Sequence, residues 1–161
     1  MAVSTPAIPA TIRLQQGDFD VAAEIAALSR GRGDIGAVVT FSGICRRGEG
    51  EEAISALTLE HYPGMAEVEI RRHVDEAIAR WPLTGVTVIH RFGRVVPGEN
   101  IVLVVTASAH RQAAFEGAEF LMDYLKANAP FWKREERAEG AASWVEAHRR
   151  DDDALDRWDQ P

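Results

Sequence analysis

The chain is poor in the features that announce many protein classes. Among its 161 residues there is one cysteine, Cys45, so no internal disulfide can staple the fold. A lone thiol fits a reducing compartment. No apolar run approaches the ~20 residues of a membrane span; the longest, Ile101 to Ala107, reads as a buried strand. The first residues, Met1-Ala2-Val3-Ser4-Thr5-Pro6, have neither a basic segment nor an apolar one, so a secretory leader is not expected and a cytoplasmic location is. Positive charge is in deficit: 18 Lys and Arg against 25 Asp and Glu leave a formal charge of −7, which argues against generic nucleic-acid or anionic-membrane binding. The five histidines form no H-x-x-x-H pair and there is no C-x-x-C, so no metal site is expected. The glycine pairs Gly31/Gly33 and Gly48/Gly50 lack the strand-to-helix setting of a phosphate loop.

What is present is ordinary globular composition, 46% hydrophobic and 27% charged, in a chain of one-domain length. Residues 1 to 9 are small and Pro-containing and read as a flexible arm. Thr11 to Gln15 alternates as a strand does. Asp20 can cap a helix through Val21, Ile25 and Leu28, ended by Gly31 and Gly33. Ile35 to Ile44 and Ala53 to Glu60 read as strands, with a polar loop of residues 46 to 52 between them, and a hairpin is expected. Pro63 opens a helix whose stripe comprises Met65, Val68, Val74, Ala77, Ile78 and Trp81, stopped by Pro82. Val86 to Arg91 and Asn100 to Ala107 are two more strands, joined through a Pro97-Gly98 turn. A second long helix runs from about Ala109 to Ala127 with Phe115, Ala118, Leu121, Met122 and Leu125 inward. Phe131 to Glu136 and Ser143 to Ala147 are extended. The charged tail from Arg149 to Pro161 offers only Leu155 and Trp158 as large apolar anchors. Strands and helices in this mixed order predict an α+β fold, a single domain with a largely antiparallel sheet and two long helices, its core about residues 10 to 147.

Lys126 and Lys133 flank a chain reversal at Pro130-Phe131-Trp132. Lysines gathered at an apolar pocket suit an anionic ligand or an amine of lowered pKa. The alternative is a solvated helix C-terminus, where lysine favours the dipole. His110 and Arg111 stand at the start of that helix, where a cation opposes the dipole by roughly 0.3–1 kcal/mol. They either converge with the free N–H groups on a bound anion or point into water. Arg46-Arg47 and Lys133-Arg134 are local cation clusters against the acidic background, either a focused anion site or solvated surface.

Four blocks together resemble the MoaE family, the large, catalytic subunit of molybdopterin synthase. They are Gly36-Ala37-Val38-Val39-Thr40-Phe41-Ser42-Gly43; Leu57-Thr58-Leu59-Glu60-His61-Tyr62-Pro63-Gly64-Met65; Val88-Ile89-His90-Arg91-Phe92-Gly93; and Ser108-Ala109-His110-Arg111 through Phe131-Trp132-Lys133-Arg134-Glu135. The resemblance covers roughly residues 34 to 147. It implies a hammerhead-like α/β architecture and a sulfurtransferase that needs no cofactor or metal of its own. A small ubiquitin-like sulfur-carrier subunit would insert its Gly-Gly C-terminus, ending in a thiocarboxylate. Two sulfur transfers to cyclic pyranopterin monophosphate would then build the dithiolene of molybdopterin. It also implies a homodimer within a heterotetramer.

By the same resemblance Lys126 and Lys133 are the catalytic pair, Lys126 acting more directly and Lys133 positioning substrate. Arg46, His110 and Arg111 would hold the substrate phosphate, Ile44 and Cys45 would line the same edge through their backbone, and Arg134 and Glu135 would complete the segment. Relatives commonly carry an arginine where His148 stands, leaving Arg149 or Arg150 as substitutes. Cys45, beside apolar Ile44, reads as a small buried hydrophobe rather than a sulfur carrier. His61 and His90, near strand ends, read as supporting residues or ordinary surface. A different class of function, a non-catalytic anion-binding adaptor for a ubiquitin-like Gly-Gly tail, has no use for both lysines together with the His-Arg pair. Finally, His110 and Lys126 are 16 residues apart on one helix, roughly 24 Å. A lysine reaches about 6 Å, so a pocket shared between two copies is expected.

Overall fold

The computed structural model describes residues 7–137, 143–145 and 149–159. It contains two four-stranded sheets and four helices among those residues. Strand β1 (Ala10–Gln15) leads to α1 (Val21–Ser29), and β2 (Ala37–Ile44) to β3 (Ile54–His61) through a short 3-10 turn. Helix α2 (Met65–Arg80), β4 (Leu83–Arg91), β5 (Gly93–Val95) and β6 (Asn100–Ser108) follow. The chain continues through α3 (Arg111–Ala127), β7 (Phe131–Arg137), β8 (Ser143–Trp144) and α4 (Arg149–Asp156). The first sheet has the order β1-β4-β6-β2, and the second β5-β3-β7-β8. Every pairing is antiparallel except β1 with β4.

The central strands β4 and β6 are apolar nearly throughout because helices cover both faces of the first sheet. Alternation divides their side chains. Val86, Val88, Val102 and Val104 meet Ile70, Val74, Leu121 and Leu125 of α2 and α3. Ile89, Leu103, Val105 and Ala107 meet Phe19 and Leu28 on the α1 side. Asp20 caps α1, its carboxylate accepting from the Ala23 N–H at 3.0 Å. Gly64, at φ +84°, turns the chain into α2, and its N–H donates to Glu67 at 3.0 Å. Gly36 lies where β2 passes the start of α3, so close that a Cβ there would sit 2.2 Å from the Ala109 carbonyl oxygen.

Three expectations are corrected. β2 and β3 form no hairpin: β2 pairs with β6, β3 with β5 and β7, and the loop of residues 46 to 49 carries the chain from one sheet to the other. The Pro97-Gly98 turn does not directly join two neighbours of one sheet, because β5 intervenes and belongs to the second sheet. On α2 the buried face is Ala66, Ile70, His73, Val74 and Ala77, leaving Met65 and Val68 exposed; Phe115 of α3 is exposed as well. His110 is the N-cap residue of α3, and the Ser108 hydroxyl just before it donates to the Pro82 carbonyl. The tail includes the helix α4, and Leu155 and Trp158 pack against the main core. His148 lies outside the described residues.

Candidate active site

A cavity of about 370 Å³ opens where three elements end together. The end of β2 supplies Gly43, Ile44, Cys45 and Arg46. The last turns of α3 supply Met122, Leu125 and Lys126. β7 supplies Phe131, Lys133 and Glu135, and His90 of β4 and Asp151 of α4 complete the polar lining. The convergence follows from local structure. The Asn128 and Ala129 N–H groups both bond back to the Tyr124 carbonyl, closing α3 two residues after Lys126. Pro130 cannot extend the helix, and the chain turns at once into β7. There Lys133 pairs with Leu59 and Phe131 with His61 of β3. Period-2 alternation sends Phe131, Lys133 and Glu135 to the cavity and Trp132, Arg134 and Glu136 to the other face.

Burial pushes the Lys133 ammonium below its ordinary 10.5, and the adjacent ammonium of Lys126, within hydrogen-bonding reach, pushes it further. Asp151 and Glu135 oppose both effects. Burial and the Lys126 charge both favour the neutral amine of Lys133 more than in an ordinary lysine. Burial moves the Cys45 thiol upward, as do Glu99 and Glu135, which is opposite to what a sulfur nucleophile requires. Burial chiefly lowers His90 to about 4, aided by Lys133, Lys126 and His61, so its ring is neutral at physiological pH.

Of the residues singled out from the sequence, Ile44, Cys45, Arg46, Lys126, Lys133 and Glu135 share the cavity. Arg134 is on the opposite face of β7. His110 and Arg111 are exposed at the far end of α3 and do not reach it within one chain. Asp151 was missed, and His90, read from the sequence as a supporting residue or ordinary surface, is buried and lines the cavity. The strand alternation of Val86 and Val88 does place His90 on the helix-covered face, whereas nothing in the charged tail distinguishes Asp151.

The sequence model described as "MoaE protein" matches residues 14–128. The chain belongs to the MoaE family. A MoaE relative from Mesorhizobium japonicum, named molybdopterin synthase catalytic subunit, is 66% identical over 149 residues, covering 92% of each chain. The subunit of the same name from Escherichia coli is 55% identical over 127 residues, covering 79% of this chain and 84% of that one. The solved MoaE structure from Burkholderia ambifaria superposes with a TM-score of 0.78 at 47% identity, covering 92% of this chain and 97% of the other. The Burkholderia ambifaria structure shares the mixed α+β, largely antiparallel architecture described above. No helix among the described residues is long and apolar enough to cross a membrane.

Proposed function

We infer that this chain performs the catalytic step of a molybdopterin synthase, a sulfur transfer. Its kinship over nearly the full chain to proteins named as that catalytic subunit supports the reaction class. The observation that carries the local reading is the pairing of Lys126 and Lys133 in a cavity that Arg46 also lines. A small ubiquitin-like carrier threads its Gly-Gly thiocarboxylate into this cavity, and cyclic pyranopterin monophosphate binds beside it. The Lys126 ammonium holds the carboxyl oxygen by a charge-assisted hydrogen bond and offsets negative charge developing there. The Lys133 amine, partly desolvated, takes or returns the proton that each transfer moves. Arg46 faces the substrate phosphate. The Cys45 thiol stays protonated and carries no sulfur. The reaction is placed in the cytoplasm.

The site is completed by a second copy of the chain. β2 is an edge strand of its sheet, with Phe41 and Ile44 exposed along it, a surface that invites pairing. Its first residue, Ala37, lies opposite Ser108, next to His110 and Arg111; its last, Ile44, reaches the cavity. Those ends are roughly 23 Å apart at ~3.3 Å per residue, matching the length of α3. Antiparallel pairing of β2 with its two-fold copy therefore carries His110 and Arg111 of the partner copy to Arg46 and Lys126. Incubation of the chain with thiocarboxylated carrier and pterin precursor tests the function. Dithiolene product is expected, while carrier binding without product would favour a tail-binding adaptor.

A further inference from the structure

The block Val88-Ile89-His90-Arg91-Phe92-Gly93 holds an arginine to which the sulfur-transfer reading gives no task. Arg91 ends β4, and its side chain is only 8% exposed. A guanidinium so buried needs partners. Nε donates to the Gln16 carbonyl and Nη1 to the Asn100 carbonyl, both at 3.0 Å. Nη1 also donates to the Glu99 carboxylate at 3.1 Å, an ion pair. The Arg91 carbonyl accepts from His90 Nδ1 at 2.7 Å. The other carboxylate oxygen of Glu99 accepts from the Val96 N–H at 3.0 Å, and the Glu99 N–H donates to the Val96 carbonyl at 3.0 Å. Pro97 and Gly98 stand between them, Gly98 at φ +94°, the Pro-Gly arrangement of a type II turn. The turn from Val96 to Glu99 is therefore closed by its backbone and again by the Glu99 side chain. The Val96 N–H and the Arg91 guanidinium hold the Glu99 carboxyl below its ordinary range, so it is charged at neutral pH.

That turn grips the segment that carries Arg46. The register of β2 shifts between Gly43 and Ile44, and just beyond the shift the Cys45 N–H donates to the Glu99 carbonyl. The Cys45 carbonyl accepts from the Gly98 N–H, and both bonds are 2.8 Å. The Cys45 side chain is buried with Ile54, Leu57 and Val95. On the far side of Arg46, the Arg47 carbonyl accepts from the Ile54 N–H at 2.8 Å. Arg46 thus stands between two residues whose backbone is tied down, while its own side chain is exposed and lines the cavity. A long exposed side chain has many rotamers, so the backbone beneath it sets where the charge is directed. We propose that Arg91 and Glu99 are positioning residues for Arg46: their ion pair fixes the turn, the turn fixes the Cys45 backbone, and the Arg46 guanidinium is thereby aimed at the substrate phosphate. This role deepens the function inferred above and rests on it. Neither Arg91 nor Glu99 lines the cavity, and Lys126 and Lys133 belong to other elements, so the effect falls on pterin binding rather than on the carrier.

The test is a double-mutant cycle of Glu99→Ala with Arg46→Ala. It is read in the Kd for pterin precursor, measured by calorimetry without carrier, and in the KM for thiocarboxylated carrier at saturating precursor. Alanine keeps the main-chain bonds to Cys45 and removes both side-chain bonds of Glu99. Glu99→Ala should weaken precursor binding on the order of threefold to tenfold, with KM for the carrier unchanged. In the Arg46→Ala background it should add little, because the group it aims is gone. Glu99→Gln, which keeps one oxygen for Arg91 or Val96, should recover part of the loss. Amide hydrogen exchange at Cys45 should be faster in Glu99→Ala than in wild type. An equal loss of precursor binding in both backgrounds overturns the proposal, as does an equal rise in KM for the carrier. Unchanged exchange at Cys45 in folded Glu99→Ala overturns it whatever the binding. A wild type that binds precursor without turnover strikes the inferred catalysis and leaves the cycle to be read on binding. Should Glu99→Ala not fold, Glu99→Gln is put through the same cycle, and the same outcomes decide.

Discussion

Acid should unfold this protein through His90 before most carboxylates are protonated. In the native state the buried ring titrates at about 4, against 6.5 when free in the unfolded chain. Above pH 6.5 both states leave it neutral and it contributes nothing to the pH dependence. As pH falls below 6.5 the unfolded chain binds a proton that the native state refuses, so stability is lost progressively down to about pH 4 and then levels off. The full difference is worth roughly 3 kcal/mol at about 1.4 kcal/mol per pKa unit, and about 2 kcal/mol of it is already lost at pH 5. For a domain of this size that is a fall in Tm of about 4–8 °C. Urea unfolding at pH 7, 6 and 5, followed by tryptophan fluorescence, measures it. The control is His90→Phe, which leaves the Arg91 carbonyl unpaired and is less stable at pH 7, but whose curve should be flatter. Carboxylates contribute equally to both proteins and cancel in the difference of slopes. If the two proteins lose stability in parallel between pH 7 and 5, the buried neutral histidine is wrong.

Other substitutions separate the site from the scaffold. Cys45→Ser should keep most activity at a stability cost of about 1 kcal/mol, and complete inactivation of a folded Cys45→Ser protein would restore the thiol as a sulfur carrier. Gly36→Ala forces a Cβ against the Ala109 carbonyl and should destabilise by about 1–3 kcal/mol in chemical denaturation, lowering activity by moving the start of α3. His110→Ala and Lys126→Ala should each be inactive, yet mixed under subunit exchange they should recover about a quarter of wild-type activity if copies pair at random. Verified exchange with no recovery would remove the shared pocket.

The elements themselves were largely legible, because each carries a local signal. Asp20 before an apolar stripe marked α1, and the apolar runs of Val86 to Arg91 and Asn100 to Ala107 marked two strands, which pair at the centre of the first sheet. Partnership was not legible at β2 and β3. Alternation identifies a strand but not its neighbour, and the loop between these two turns a corner between sheets. Met65 and Val68 misled because an apolar residue on a helix reports a face, not what covers it. Within the site, the turn at Pro130 was enough to bring Lys126 and Lys133 together. Electrostatic roles needed depth: only the structure puts Lys133 further from water than Lys126 and stacks the buried His90 ring on Phe131.

The central claim is that sulfur moves at the paired lysines where α3 ends and β7 begins. Single-turnover transfer from thiocarboxylated carrier to pterin precursor, measured for wild type, Lys126→Ala and Lys133→Ala at carrier concentrations shown to saturate binding, tests it most directly. The account predicts dithiolene formation by wild type and a loss of on the order of a hundredfold or more in each variant, with the fold intact and the carrier still bound. Product at near-wild-type rates from a folded Lys126→Ala or Lys133→Ala protein would contradict it.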